Sequence, residues 1–206
     1  QDLEQLERKF ASADRGVPPN AAMRTPRIYT PQTLQPGECL TLEPAAARHL
    51  VQVLRLQAGA EVLLFNGDGR ECCASISNTD KSGVRLRVER CTRATQPSRL
   101  EIGLLQAIGR GERMDFVLQK AVELGVTHVR PLFTERTQVR LHGARLDRRM
   151  DHWRQVVIAA CEQSGRTRLP RLERAARLDT DVLGVDADLR LLLAPEAGHN
   201  LAQLAA

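Results

Sequence analysis

Three polar clusters in the second half of the sequence combine residue types that can hold an anion or move a proton. Gly109-Arg110-Gly111-Glu112-Arg113 follows an apolar run and precedes a helical pattern. In open parallel sheets ligands gather outside the carboxyl ends of the strands, and a basic loop there can hold a phosphate against the first N–H groups of a helix. Thr134-Glu135-Arg136-Thr137 also lies just past an apolar run, with Arg136 placed to meet a phosphate or a nearby carboxylate. Glu162-Gln163-Ser164-Gly165-Arg166 closes a long helical pattern. Each cluster has an ordinary explanation: a solvated turn, a surface salt bridge, and an arginine and glycine that complement and cap a helix C-terminus. Their expected position at one rim of one sheet is what makes a shared ligand site plausible, with Arg136, Glu162 and Arg166 as its reactive members.

Other chemistries have no support. The sequence contains no P-loop, no G-x-S-x-G and no H-E-x-x-H, and the glycines of Gly103 to Gly111 do not follow G-x-G-x-x-G spacing. Cys39, Cys72, Cys73, Cys91 and Cys161 form no C-x-x-C pair and are odd in number, so neither a disulfide framework nor a metal site is expected. Buried, reduced cysteines are the expectation. No apolar run approaches the roughly 20 residues that span a bilayer, and a cytoplasmic protein is expected.

Positioning these clusters requires a strand–helix alternation. Leu100–Leu105, His128–Phe133 and Leu189–Ala194 read as strands, the last one buried. Between them, Met114, Val117, Leu118, Ala121 and Val122 share a helical face that ends at Gly125. A longer helix is expected from Asp147 to Ser164, with Met150, Trp153, Val157, Ala160, Cys161 and Ser164 on one face. This order implies an α/β domain with a largely parallel sheet. Residues 23–96 read differently. Strands are expected at Gly37–Leu42, Glu61–Phe65, Glu71–Ile76 and Val84–Val88, with tight-turn dipeptides in Asn66-Gly67-Asp68-Gly69 and one helix over Pro44–Leu54. That pattern suggests a small β-barrel. Gln96-Pro97-Ser98 reads as a linker, and residues 1–22 as a disordered extension ahead of Met23. The domains are therefore 23–96 and 98–206.

The net charge of +5 and the pI near 9.3 rest mainly on arginine, which suits bidentate phosphate contacts. An arginine-rich proteome would give the same balance.

Taken in order, several segments resemble the RsmE family of 16S ribosomal RNA uridine-N3 methyltransferases. They are Arg27-Ile28-Tyr29, Arg48 to Leu56, Leu64 to Gly69, Arg113-Met114-Asp115, Gln119 to Val126, Pro131 to Thr137 and Ala159 to Arg166. The resemblance covers residues from Met23 onward. It implies an α+β then α/β chain: a PUA-like β-barrel followed by a truncated SPOUT α/β-knot methyltransferase domain. It further implies S-adenosylmethionine as donor, held by residues expected beyond Ala206, with the chain to that point inactive. The implied partners are 16S rRNA and the small ribosomal subunit, and the full-length protein would be a homodimer.

The chemistry so implied is demanding. N3 of uracil carries a proton and attacks poorly until that proton leaves, so the base must be turned out and aligned. Arginines can stabilise the uridylate anion, and Glu162 or Glu123 is placed to accept the proton. Arg24, Arg27, Arg48, Arg55, Arg70, Arg110 and Arg113 are the expected RNA-binding residues. Two alternatives stay open: a non-catalytic PUA-like RNA-binding module, and a SPOUT methylase with another RNA target.

Overall fold

The computed structural model describes residues 25–80, 83–94, 96, 98–137, 141–179, 184 and 186–194. Arg24, the expected extension at 1–22 and Pro97 of the linker lie outside them.

The first module is a five-stranded mixed sheet in the order β1-β3-β4-β5-β2. Its strands are β1 (Arg27–Tyr29), β2 (Cys39–Thr41), β3 (Glu61–Phe65), β4 (Cys72–Asp80) and β5 (Gly83–Cys91). β5 alternates strictly: Val84, Leu86 and Val88 point into the core while Arg85, Arg87 and Glu89 point out. This is the periodicity its sequence predicts. β1 runs parallel to β3, whereas β3–β4, β4–β5 and β5–β2 are antiparallel. Among the described residues no ladder joins the edge strands β1 and β2, so the described pairing leaves the expected barrel open.

The expected helix over Pro44–Leu54 is α1 (Pro44–Arg48) followed by one π-helical turn, His49–Val53. The wider winding is closed by Leu54 N–H donating to His49 O at 3.0 Å. It keeps Leu50 fully buried but turns Val51 out to solvent, against the uniform helical face expected.

The cysteines correct a second expectation. Cys72 and Cys91 are direct partners across the β4–β5 ladder and form a disulfide, while Cys39, Cys73 and Cys161 are free. Spacing along the chain carries no record of strand register, which is what brings these two together.

The second module pairs β6 (Gly103–Ala107), β8 (Arg171–Leu172) and β9 (Ala176–Arg177) with β7 (His128–Phe133), every one parallel to it. α2 (Arg113–Glu123) connects β6 to β7, and α3 (Gly143–Ser164) follows β7. α2 buries Met114, Leu118, Ala121 and Val122, and Gly125 beyond its end takes φ 96°, as a left-handed helix stop requires. α3 starts four residues before the expected Asp147, because Leu146 belongs to the same buried face as Trp153, Val157, Ala160 and Cys161. β6 lies further along the chain than expected, leaving Leu100 and Ile102 exposed.

The buried strand expected at Leu189–Ala194 is not formed. Leu189, Leu191, Leu192 and Leu193 are exposed and lie in no strand. Apolar content alone does not make a strand, which also needs a ladder partner; among the described residues this run pairs with neither the outer edge of β6 nor β7, whose side away from β6 is taken by β8 and β9.

Each module has its own core, but they are not independent. Phe65, the last residue of β3, is fully buried within the second core, with Tyr29 packed beside it. Val62 and Leu64 of the same strand face the first core. Strand alternation thus lets β3 supply both.

Candidate functional site

The three clusters do not meet at one rim. Ala107 and Phe133 end β6 and β7, so Arg110, Arg113 and Arg136 all stand at the carboxyl ends of parallel neighbours, and all three are exposed. Arg136 sits in a turn closed by Thr137 N–H to Thr134 O (3.0 Å) and by Thr134 N–H to the Thr137 hydroxyl (2.9 Å). Arg166 lies at the opposite end. Its Nη1 donates to Val122 O (2.9 Å) and Val126 O (2.8 Å), at the end of α2 and just ahead of β7. Six residues of β7, roughly 17–20 Å of strand, separate the two ends. The physical reason is connectivity. α3 leaves the carboxyl end of β7 and runs back along the sheet, so its C-terminal cluster returns to the amino end.

What assembles there is a junction between the modules. Arg27 donates through Nε to Glu71 (2.6 Å) and through Nη1 to Cys161 O (2.7 Å) and Glu162 O (3.0 Å). Those carbonyls belong to the last turn of α3, whose carbonyls have no acceptor role within the helix and carry the negative end of its dipole. The guanidinium also lies 4.9 Å from the Phe65 ring centroid. Arg27 is therefore a bridge within the protein and not the RNA-facing residue expected from its position in the first module. Glu162 turns its carboxylate the other way and accepts Tyr29 N–H at 3.0 Å. Burial pushes the Glu162 carboxyl above its ordinary range, against the Tyr29 hydrogen bond and the charges of His49 and Arg27. Burial likewise pushes the Cys161 thiol up to about 11, although Arg166 and Arg27 pull it down.

The remaining arginines divide. Arg48 and Arg55 are exposed, as an RNA-facing role requires, and Arg55 holds a left-handed φ of 55°. Arg70 is half-buried and engaged by Asp68 (2.7 Å) and Leu34 O (3.3 Å). One basic group escaped the sequence reading. Arg145, Arg148, Arg149 and His152 stand at i, i+3, i+4 and i+7 on α3, a spacing that marks a single helical face.

Fold and charge define a two-module protein: a mixed β-sheet joined through Arg27, Glu162 and Phe65 to a parallel α/β domain with a basic carboxyl rim. Residues 96–206 match the RNA methyltransferase domain family, and residues 42–89 match the RNA methyltransferase PUA domain. The first match spans more than half of the sequence, and the chain belongs to that RNA methyltransferase family. A Legionella pneumophila protein described as a methyltransferase, solved with the bound cofactor SAM, is 40% identical, with a TM-score of 0.83 over 88% of this chain and 75% of that one. The ribosomal RNA small subunit methyltransferase E of Neisseria gonorrhoeae, bound to S-adenosyl methionine, is 38% identical, with a TM-score of 0.70 over 75% of this chain and 63% of that one. The protein of the same name from Buchnera aphidicola of Schizaphis graminum is 29% identical over 150 residues, 73% of this chain and 61% of that protein. The chain thus spans about three fifths of the curated relatives it matches first. These names agree with the RsmE resemblance.

Proposed function

We propose that the whole protein methylates N3 of uridine in 16S rRNA of the small ribosomal subunit, with S-adenosylmethionine as donor. The reading rests on one observation: a PUA-type match and an RNA methyltransferase match occur in one chain, in that order, on two modules joined where Phe65 of the first enters the core of the second. The proposal includes a knotted SPOUT topology for the complete α/β domain, a closed PUA-like barrel, a homodimer and action in the cytoplasm.

In this reading Arg48 and Arg55 meet RNA from the first module, and Arg110, Arg113 and Arg136 meet it from the carboxyl rim of the second. Arg136 remains the candidate for stabilising a uridylate anion, since its guanidinium is exposed at that rim. Glu162 and Arg166 act as positioning residues, because their side chains are engaged at the amino end of the sheet by Tyr29 and by Val122 and Val126. The groove beside Arg145, Arg148, Arg149 and His152 does not fit the donor, whose sulfonium is a cation that such a surface repels.

The test is mass spectrometry of 16S rRNA from small subunits treated with the full-length protein and S-adenosylmethionine. N3-methyluridine at a single position is the expected product. RNA binding without methylation would favour the non-catalytic module, and a modified nucleotide elsewhere would favour another RNA target.

A further inference from the structure

We infer that the N-terminal half of α3 is an RNA phosphate-binding surface, formed by the groove that Leu141, Arg145, Arg148, Arg149 and His152 line. This rests on the RNA methyltransferase reading above and adds a binding site to it. The groove has a volume of about 350 Å³ and is open to solvent. Its four basic side chains form one stripe about 10 Å long along the helix axis.

The arginine charge in this stripe is not neutralised within the protein. Among the described residues, Arg145, Arg148 and Arg149 pair with no carboxylate. Arg148 donates Nε to Ala144 O at 3.3 Å, and Arg149 lies 5.8 Å from the Trp153 ring centroid. These contacts orient two guanidiniums and leave donors over. The acids nearby leave the arginines unpaired. Asp115 of α2 holds His152 at 2.7 Å, Asp147 is engaged by Arg174 at 3.0 Å, and Asp151, three residues beyond Arg148, forms no ion pair with the stripe. The first turn of α3 contains no acid. Arg145, in that turn, opposes the helix dipole. An anion in the groove would meet both the arginines and the positive end of α3.

Connectivity supplies the direction. α3 begins from the carboxyl end of β7, the rim that carries Arg110, Arg113 and Arg136. The stripe therefore extends that rim along the outside of the domain. Rows of guanidiniums with spare donors suit phosphate oxygens, which accept bidentate contacts and carry no base identity. The groove should hold RNA backbone irrespective of sequence.

The experiment is fluorescence anisotropy of the full-length protein with a labelled 16S rRNA hairpin and with a scrambled RNA of equal length, across a salt series. The R145Q/R148Q/R149Q variant should lose at least tenfold in affinity for both RNAs. The slope of log K against log salt should become shallower by about 2 to 3, roughly one for each lost phosphate contact. R154Q, on the opposite flank of α3, should behave as wild type. If the triple variant loses its circular dichroism signature, R145Q alone decides, with an expected slope change of about 1. Unchanged affinity and slope, with wild type binding RNA normally, would overturn the groove and leave the RNA reading standing. A wild-type protein without salt-dependent RNA binding would overturn both. Competition by polyglutamate as strong as that by RNA would also overturn the proposal, by assigning the groove to an acidic protein.

Discussion

Arg27 Nη1 donates to the main-chain oxygen of Cys161 at 2.7 Å, across 134 residues of sequence. The contact fastens the first strand of one module to the end of the long helix in the other. It also answers an otherwise open need, since the final carbonyls of a helix have no partner inside it.

Arg27→Ala should remove that cap, the ion pair to Glu71 and the contact with Phe65 together. Arg27 is 14% exposed and Glu71 27%, so solvent replaces the lost partners poorly. The expected cost is roughly 2–4 kcal/mol, the range for charged hydrogen bonds left half-made in a partly buried site. Arg27→Lys should recover only part of it, because a single ammonium nitrogen cannot occupy both the Nε position that meets Glu71 and the Nη1 position that meets the two carbonyls. Urea unfolding measures both. If Arg27 instead faced RNA, the variants would unfold like wild type and lose affinity.

Little of this junction is legible in the sequence. Periodicity reports local structure, and it places His128–Phe133, the alternation of Val84–Val88 and the buried face of α2 correctly for that reason. It cannot say that Arg27 and Cys161 adjoin, or that Cys72 opposes Cys91, because both facts depend on how distant strands pair. Placing the start of α3 at Asp147 had a similar cost: Arg145 then falls outside the helix, and the stripe it forms with Arg148, Arg149 and His152 disappears. At Leu189–Ala194 the apolar content suggests a strand, while strand formation also needs a ladder partner, and among the described residues this run pairs with none. The exposed rim residues Arg110, Arg113 and Arg136 were legible, since each follows an apolar strand directly.

Glu162 should give the junction a pH dependence of definite sign. Its carboxyl is raised by burial, so the folded protein holds that proton more tightly than the unfolded chain. Between the ordinary and the raised value the folded state binds more protons, and stability falls as pH rises through that window. The contribution is fully present below the ordinary carboxylate range and lost above the raised value. Glu162→Gln keeps an acceptor for Tyr29 N–H without a charge to desolvate. It should be at least as stable as wild type at neutral pH and should lack this component. Glu162→Ala leaves the amide of Tyr29 unpaired and should cost about 1–3 kcal/mol. Unfolding free energies of the three proteins from about pH 4 to pH 8 check the sign. A wild-type-minus-Gln difference that is flat across the range would contradict it.

Phe65 provides the most direct test of whether the modules fold as one. It ends β3, where alternation turns its ring away from Leu64 and out of the first core. On an isolated sheet that face would meet solvent. Here the ring is fully buried as a member of the second core, edge-on to Tyr29 at 5.7 Å and beneath Arg27. Phe65→Ala should therefore cost about 3–5 kcal/mol, the range for emptying a buried aromatic site. The loss should fall on the junction more than on either core, since the rest of β3 still pairs with β1 and β4. Trp153 is the protein's single tryptophan and sits in the second core, so its fluorescence follows that module alone. Far-ultraviolet circular dichroism follows both. In wild type the two signals should report one coincident urea transition; in Phe65→Ala they should separate. Phe65→Leu, which keeps most of the apolar volume but loses the ring contact with Arg27, should restore coincidence. Coincident transitions in Phe65→Ala with a loss below about 1 kcal/mol, far under the cost of an emptied aromatic site, would show that the ring does not couple the two cores.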